Sequence, residues 1–352
     1  MDLTRFIQDQ IRTKGPISLA DYMGHALTHP ELGYYMTRDP FGAEGDFTTA
    51  PEMTQAFGEL LGLWAVEMWK SLGSPHPFIL CELGPGRGTL MKDALRAAAL
   101  VPEFATAVQV YLIEASPVLK QRQQAALATH PVTWIARAEE LPDLPVIFLA
   151  NEFFDALPIR QFEFSQNRWM ERYVGLDAAE PFAFVLNPAS DGPSFGGYEG
   201  MVVETCPLAV EIANAMARKV VHNKGAALII DYGDDDIVGE TLQAVNAHRA
   251  VPPLLHPGTA DLTAHVSFEP MRTAVRKIGT RTFGLVEQAD FLLALGLAER
   301  TEQLCQKATP EQARTLRAAL HRLTDKSTPS AMGKLFKAFA FTNREGATPP
   351  GF

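Results

Sequence analysis

The sequence predicts an α/β protein built on a Rossmann-like seven-stranded sheet, with an N-terminal helical region before it and a β insertion after the fourth strand. Three observations carry this expectation. From Phe78 onward, short apolar runs alternate with amphipathic helical segments, the signature of a largely parallel sheet. The runs are continuous rather than alternating, as strands buried on both faces require. The first run, Phe78-Ile79-Leu80-Cys81-Glu82, leads through Leu83 and Gly84-Pro85-Gly86-Arg87-Gly88 into a helical segment at 89–99. That strand, glycine turn and helix, in that order, form the opening unit of a nucleotide-binding sheet.

Residues 1–75 read as a mostly helical region and 76–352 as the sheet domain, with insertions at about 159–205 and 234–266. Leu3, Phe6, Ile7 and Ile11 recur at helical spacing until Gly15-Pro16 stops the segment. Ser18 is placed to cap a helix over 18–27, with Asp21 three residues on. Thr49 and Glu52 have capping-box spacing, predicting one long helix from there to Lys70. Further strands are expected at 108–113, 132–136, 146–150, 226–230, 280–286 and 335–342, and helices at 207–222, 266–277, 291–297 and 310–323. Residues 159–163 and 169–174 are expected to pair as a hairpin across Ser165-Gln166-Asn167, extended by 182–186. The stretch 234–266, rich in Pro, His and Asp with little periodicity, reads as an active-site or substrate loop.

Composition narrows the function classes. The 352 residues carry 31 Lys+Arg against 41 Asp+Glu, a net charge of −10, with no basic run. That balance disfavours nucleic acid and suits a basic protein segment or a cationic small molecule. The three cysteines, Cys81, Cys206 and Cys305, lie far apart and suggest neither a disulfide framework nor a zinc site; the histidines have no metal-ligand spacing, so no metal is expected. No apolar stretch reaches the ~18 residues of a membrane span. The first residues resemble neither a secretory signal nor a transit peptide, pointing to a cytoplasmic bacterial protein, or to the mitochondrial matrix in a eukaryote.

The residues of the turn bear on the ligand. Glu82 stands two residues before the first glycine, and Pro85 removes one of the N–H donors a pyrophosphate would need. A cationic nucleoside fits this better than a dinucleotide, which points to S-adenosylmethionine and away from a nicotinamide dehydrogenase. Glu82, Gly84, Pro85, Gly86 and Gly88 are the expected cofactor residues. Glu114, at the end of the second strand, is expected to accept the ribose hydroxyls. Glu139 and Glu140 read as a solvated helix start.

After the fourth strand comes Asn151-Glu152-Phe153-Phe154-Asp155-Ala156-Leu157-Pro158. Asn151 is assigned to the cofactor side. Glu152 and Asp155 are the candidate catalytic carboxylates, since a guanidinium or ammonium acceptor needs carboxylates for its charge and an aromatic face to lie on. One of Phe153 and Phe154 is expected to be a core plug instead. Asp46 is a third candidate; Glu52 reads equally well as a cap, and the lone His265 as structural. The absence of a Gly-x-Ser-x-Gly elbow leaves a hydrolase triad without support.

These motifs resemble the MidA-like S-adenosylmethionine-dependent methyltransferases. The likeness spans nearly the whole chain and rests on Gly33-Tyr34-Tyr35, Gly45-Asp46-Phe47-Thr48-Thr49-Ala50-Pro51-Glu52, Phe57-Gly58-Glu59-Leu60, Glu82 to Leu90, Asn151 to Pro158, Ile230-Asp231-Tyr232-Gly233 and Met332-Gly333-Lys334-Leu335-Phe336. The resemblance implies a class I methyltransferase sheet and methylation of a protein arginine, with a respiratory complex I subunit as acceptor. Ser267 stands where the family usually has an acid. Two other readings remain open: methylation of a small amine or hydroxyl compound, and a non-catalytic assembly chaperone on the same fold.

Overall fold

The computed structural model describes residues 2–40 and 49–352. Its main sheet contains β1 (Phe78–Leu83), β2 (Val108–Ile113), β3 (Val132–Ile135), β4 (Val146–Asn151), β5 (Gly225–Asp234), β6 (Arg281–Glu287) and β7 (Phe336–Thr342). The spatial order is β6-β7-β5-β4-β1-β2-β3, and a short strand, Val266–Ser267, adds an eighth member beside the end of β5. β1 pairs parallel with β2 and β4, while β7 runs antiparallel between β5 and β6. All six residues of β1 and of β4 are buried, which explains their unbroken apolar character. The chain leaves β3 and crosses to β4 on the other side of β1, so the carboxyl ends of β1 and β4 flank the switch point where open α/β sheets bind ligands.

Each sheet face carries its own apolar layer. On one face, helices Gln55–Ser71 and Thr89–Ala98 pack Phe57, Leu61, Trp64, Leu90 and Ala94 against Leu80 and Leu149. A Cβ at Gly62 would stand 2.3 Å from the carbonyl oxygen of Ala94, so glycine is what lets these two helices approach. Buried Glu59 accepts from Arg96 at 2.8 Å and from Arg300 at 2.7 Å, tying the first of them to its neighbours. On the other face, Ala213, Met216 and Val220 of helix Pro207–Asn223 join Phe268 and Met271 of Phe268–Ile278 over Ile79 and Phe148.

Several elements depart from the sequence reading. The helix expected from Thr49 to Lys70 is broken: Ala50–Met53 forms one turn, Thr54 is extended, and Gln55–Ser71 starts anew with Thr54 accepting from the Ala56 N–H at 3.3 Å. Thr49 makes no side-chain cap, and the Glu52 carboxylate accepts from the Thr89 hydroxyl. The capping box lies elsewhere, between Thr309 and Gln312. The stretch 234–266 is not all loop: Gln243–Asn246, Arg249–Val251 and Asp261–Thr263 form a three-stranded antiparallel sheet. That sheet packs Ala244 and Leu262 against Leu3, Ile7, Tyr22 and Met23 of the first two helices. The hairpin expected after β4 is present as Arg160–Ser165 and Arg168–Gly175 around a two-residue turn, and it grows into a five-stranded sheet through Ala183–Pro188, Val202–Thr205 and Ile17–Ser18.

Candidate functional site

A cavity of about 770 Å³ opens at the carboxyl ends of β1, β2, β4 and β5. Two groups of residues line it, and they come from different parts of the chain.

The first group surrounds the glycine turn. Gly84, Gly86, Glu114 and Ser116 line the cavity, with Ala138 and Glu139 beside them. Gly84, at φ +60, is in the left-handed region, and a Cβ there would sit 2.7 Å from Phe153. Glu114 is buried and held by two donors: the Ser116 N–H at 2.8 Å and the Gln123 side chain at 2.9 Å. Gln123, fully buried, also donates to the Gly86 carbonyl at 2.8 Å and accepts from the Trp134 indole at 2.8 Å. One amide thus locks the turn, the acid and β3 together. Sequence reasoning missed Gln123, because nothing in a helical glutamine signals this role. Asp39 also escaped notice; it accepts from Arg87 of the turn at 3.0 Å and pairs with Arg122 of helix Pro117–Ala126 at 3.1 Å.

Glu82 is 3% exposed and stands behind the cavity wall rather than in it. Removal from solvent, with Glu114 nearby, pushes its carboxyl up to about 8. Its Oε2 is buried without a hydrogen-bond partner. Burial likewise raises Glu114. Pro85, Gly88 and Asn151 also lie outside the cavity lining. Gly88 caps helix Thr89–Ala98 in a left-handed conformation, and Asn151 donates to Glu152 at 3.1 Å.

The second group is acidic. Glu152 and Asp155 line the cavity with Phe153, whereas Phe154 is buried in the core as the plug. Glu152 has φ +50, a conformation costly for a non-glycine residue and held here by its N–H to the Ile230 carbonyl at 2.9 Å. Its carboxylate also accepts from the Ala50 N–H at 3.0 Å. The loop is organised by Asp231, whose Oδ2 accepts from the N–H groups of Phe153, Phe154 and Asp155 at 3.1, 2.8 and 3.3 Å. Asp231 is completely buried, and burial together with Asp155 and Glu152 raises its carboxyl well above the usual range. Removal from solvent lifts Glu152 to about 7, with Asp155 adding to the rise, and lifts Asp155 to about 6 against the opposing Tyr232 hydroxyl. Asp155 Oδ1 is buried without a partner.

Other sequence candidates fall elsewhere. Asp46 lies outside the described residues. Glu52 serves Thr89, with Arg87 4.0 Å away. His265 turns its ring edge onto Tyr232 at 5.4 Å and lines a separate cavity of about 160 Å³. Ser267 bonds the Asp235 carbonyl at 3.4 Å. Glu139, read from sequence as a solvated helix start, lies in a 3-10 turn and lines the main cavity.

Fold and cavity together define an α/β protein of the nucleoside-binding type, with the acidic side chains of Glu114, Glu152, Asp155 and Asp261 in the cavity wall. A family model for S-adenosyl-L-methionine-dependent methyltransferases matches residues 60–286. The chain is 36% identical over 372 residues to the mitochondrial protein arginine methyltransferase NDUFAF7 homolog of Drosophila melanogaster, covering 96% of this chain and 84% of that protein. It is 35% identical over 369 residues to protein arginine methyltransferase NDUFAF7 of Mus musculus, with the same coverage. A crystal structure of a Burkholderia thailandensis protein bound to S-adenosyl-homocysteine matches with a TM-score of 0.85 and 27% identity, covering 99% of this chain and 93% of the other. The chain belongs to the S-adenosyl-L-methionine-dependent methyltransferase family, and S-adenosylmethionine is its methyl donor. Among the described residues, no helix is long and apolar enough to cross a membrane.

Proposed function

We propose that this methyltransferase modifies a guanidinium nitrogen of an arginine in a protein substrate. The observation that carries the reading is the placement of Glu152 and Asp155, two raised carboxyls with Phe153 between them, in the cavity wall beside the glycine turn. Glu82, Gly84, Pro85, Gly86, Gly88, Glu114 and Asn151 are assigned to the donor. The glycines leave room for it, Glu114 accepts from its ribose, and Glu82, behind the wall, is assigned to the same side of the site. When bound, the donor supplies a methyl group on a sulfonium, already activated, so the chain's task is positioning and charge placement.

A guanidinium keeps its proton at working pH, its pKa lying above about 12, and is a poor nucleophile until its charge is offset. Glu152 and Asp155 accept from its N–H groups and fix one nitrogen toward the methyl. As the N–C bond forms and the S–C bond breaks, the electron pair of the broken bond stays with sulfur. The nitrogen that gains the methyl then gives up its proton, and one of the two carboxylates takes it. Asp46 is assigned beside them as a further carboxylate. The names of the Drosophila and mouse relatives, protein arginine methyltransferases, support this reading.

Within the same proposal, the acceptor belongs to a respiratory complex I subunit and the enzyme works in the bacterial cytoplasm, or in the mitochondrial matrix of a eukaryote. Residues 1–75 form a helical region attached to a methyltransferase domain over 76–352. The test supplies methyl-labelled S-adenosylmethionine and the purified protein to extracts of cells lacking it, followed by mass spectrometry. Label on arginine side chains is expected; label confined to lysines or to small molecules overturns the reading.

A further inference from the structure

Asp261 lies 106 residues from Asp155 in sequence, yet both line the same cavity. It opens the strand Asp261–Thr263 of the small three-stranded sheet, and it is 6% exposed. The Tyr35 hydroxyl donates to its Oδ1 at 2.7 Å. Tyr35 sits in the single helical turn Tyr34–Thr37 and also lines the cavity. Its carbonyl accepts from the Ser116 hydroxyl at 2.5 Å, two residues beyond Glu114. One tyrosine therefore connects the loop after β2 to the strand that carries Asp261.

That strand is set against the acidic loop. The Ala264 N–H donates to the Asp155 carbonyl at 3.0 Å. Thr263 also lines the cavity with Asp155 and Tyr232. The Tyr35 hydroxyl feels the charges of Asp261 and Asp155 alike, and burial together with these charges keeps it protonated, so it remains a donor. Asp155 meanwhile keeps a buried oxygen without a partner.

We propose that Asp261 is a third acceptor-binding carboxylate, positioned by Tyr35, and that with Glu152 and Asp155 it fits the site to a guanidinium rather than an ammonium. The inference rests on the arginine reading above. A guanidinium carries five donors in a rigid plane, spread over three nitrogens; an ammonium presents three from one point. One ammonium is satisfied by Glu152 and Asp155 from a single loop. The spread donors of a guanidinium call for an acceptor from a second direction, which the small sheet provides. Asp261 would touch the substrate, whereas Tyr35 acts through Asp261 and is a positioning residue.

The test titrates methylguanidinium and methylammonium into the S-adenosyl-homocysteine-loaded protein, followed by NMR. Wild type, Asp261→Asn, Tyr35→Phe and Glu152→Gln are compared, with S-adenosyl-homocysteine affinity and melting temperature measured for each. Wild type is expected to prefer methylguanidinium. Asp261→Asn is expected to weaken methylguanidinium by about tenfold or more, as loss of a charge-assisted hydrogen bond does. Tyr35→Phe should weaken it by about threefold, with methylammonium and S-adenosyl-homocysteine affinities held within about twofold. The inference falls, and the arginine reading stands, if Asp261→Asn binds methylguanidinium as wild type does while Glu152→Gln does not. Loss of S-adenosyl-homocysteine affinity in parallel with methylguanidinium in Tyr35→Phe, the milder variant, marks a purely structural pair and also overturns it. A wild-type protein that prefers methylammonium overturns the arginine reading and this inference with it.

Discussion

The glycine-turn side of the cavity and its acidic side are built by different routes. The first comes from one compact stretch: Glu82, Gly84, Gly86, Glu114 and Gln123 follow each other through two strand–helix units, and local hydrogen bonds join them. The acidic side is collected from distant places: Tyr35, Glu152, Asp155, Asp231 and Asp261, joined by Tyr35 to Asp261 and by Asp231 to the loop after β4. A local construction can be altered without disturbing its neighbour. A collected one depends on buried groups whose loss spreads. The two sides should accordingly separate under mutation.

The strongest way to break that comparison is at the turn itself. Gly86 has φ +55, so Gly86→Val combines backbone strain with a side chain facing the cavity. We expect S-adenosylmethionine affinity to fall by about 100-fold or more in calorimetry, with the protein still folded. Retained tight binding would remove the turn from the donor site. Next comes Asp231→Ala, which leaves three N–H groups without their acceptor in a fully buried position. A stability loss of about 3 kcal/mol in denaturant unfolding and a large fall in kcat are expected, with donor affinity kept within about threefold. Parallel loss of donor affinity would show the two sides to be one unit.

Gln123→Ala sharpens the other side. It frees Glu114 and the Gly86 carbonyl together, and about a tenfold weaker donor affinity with little change in acceptor KM is expected.

A further effect is in pH. Glu152 has an ordinary value of 4.5 and is raised to about 7 in the folded protein. Between those values the folded protein holds more protons there than the unfolded chain, so this group lowers stability as pH rises through that window. Glu152→Gln should therefore gain about 2 kcal/mol at pH 8 relative to pH 4, allowing for its partial exposure. The acid limb of kcat/KM should lie near pH 7 and move in the variant toward the value of Asp155, about 6. A variant whose unfolding curves follow the wild-type pH dependence would place the titration elsewhere.

The same contrast governs what could be read from the chain. β1 and β4 were legible because buried parallel strands leave unbroken apolar runs, and the turn was legible because its glycines are contiguous with β1. The break at Thr54 was not, since Thr49 and Glu52 satisfy the local capping rule, whereas in the fold Glu52 accepts from the distant Thr89 hydroxyl. The small sheet was hidden for another reason. Its hairpin turns through Ala247 and His248, both at positive φ, where Asn-Gly would have announced a turn. Glu152 and Asp155 could be paired from the sequence because they share a loop, and both line the cavity. Their organiser Asp231 and the Tyr35–Asp261 pair were not assigned a role, because partners some 77 and 226 residues apart leave no periodic trace.

One consequence concerns the timing of synthesis. The cavity wall takes in Leu27 near one end of the chain and Leu335 and Phe336 near the other. β7, which begins at Phe336, inserts between β5 and β6 rather than adding at an edge. At about 5–20 residues per second, a ribosome finishes the glycine turn many seconds before it synthesises β7. A growing chain therefore carries the pieces of the turn long before Leu335 and Phe336 are available to complete the cavity wall.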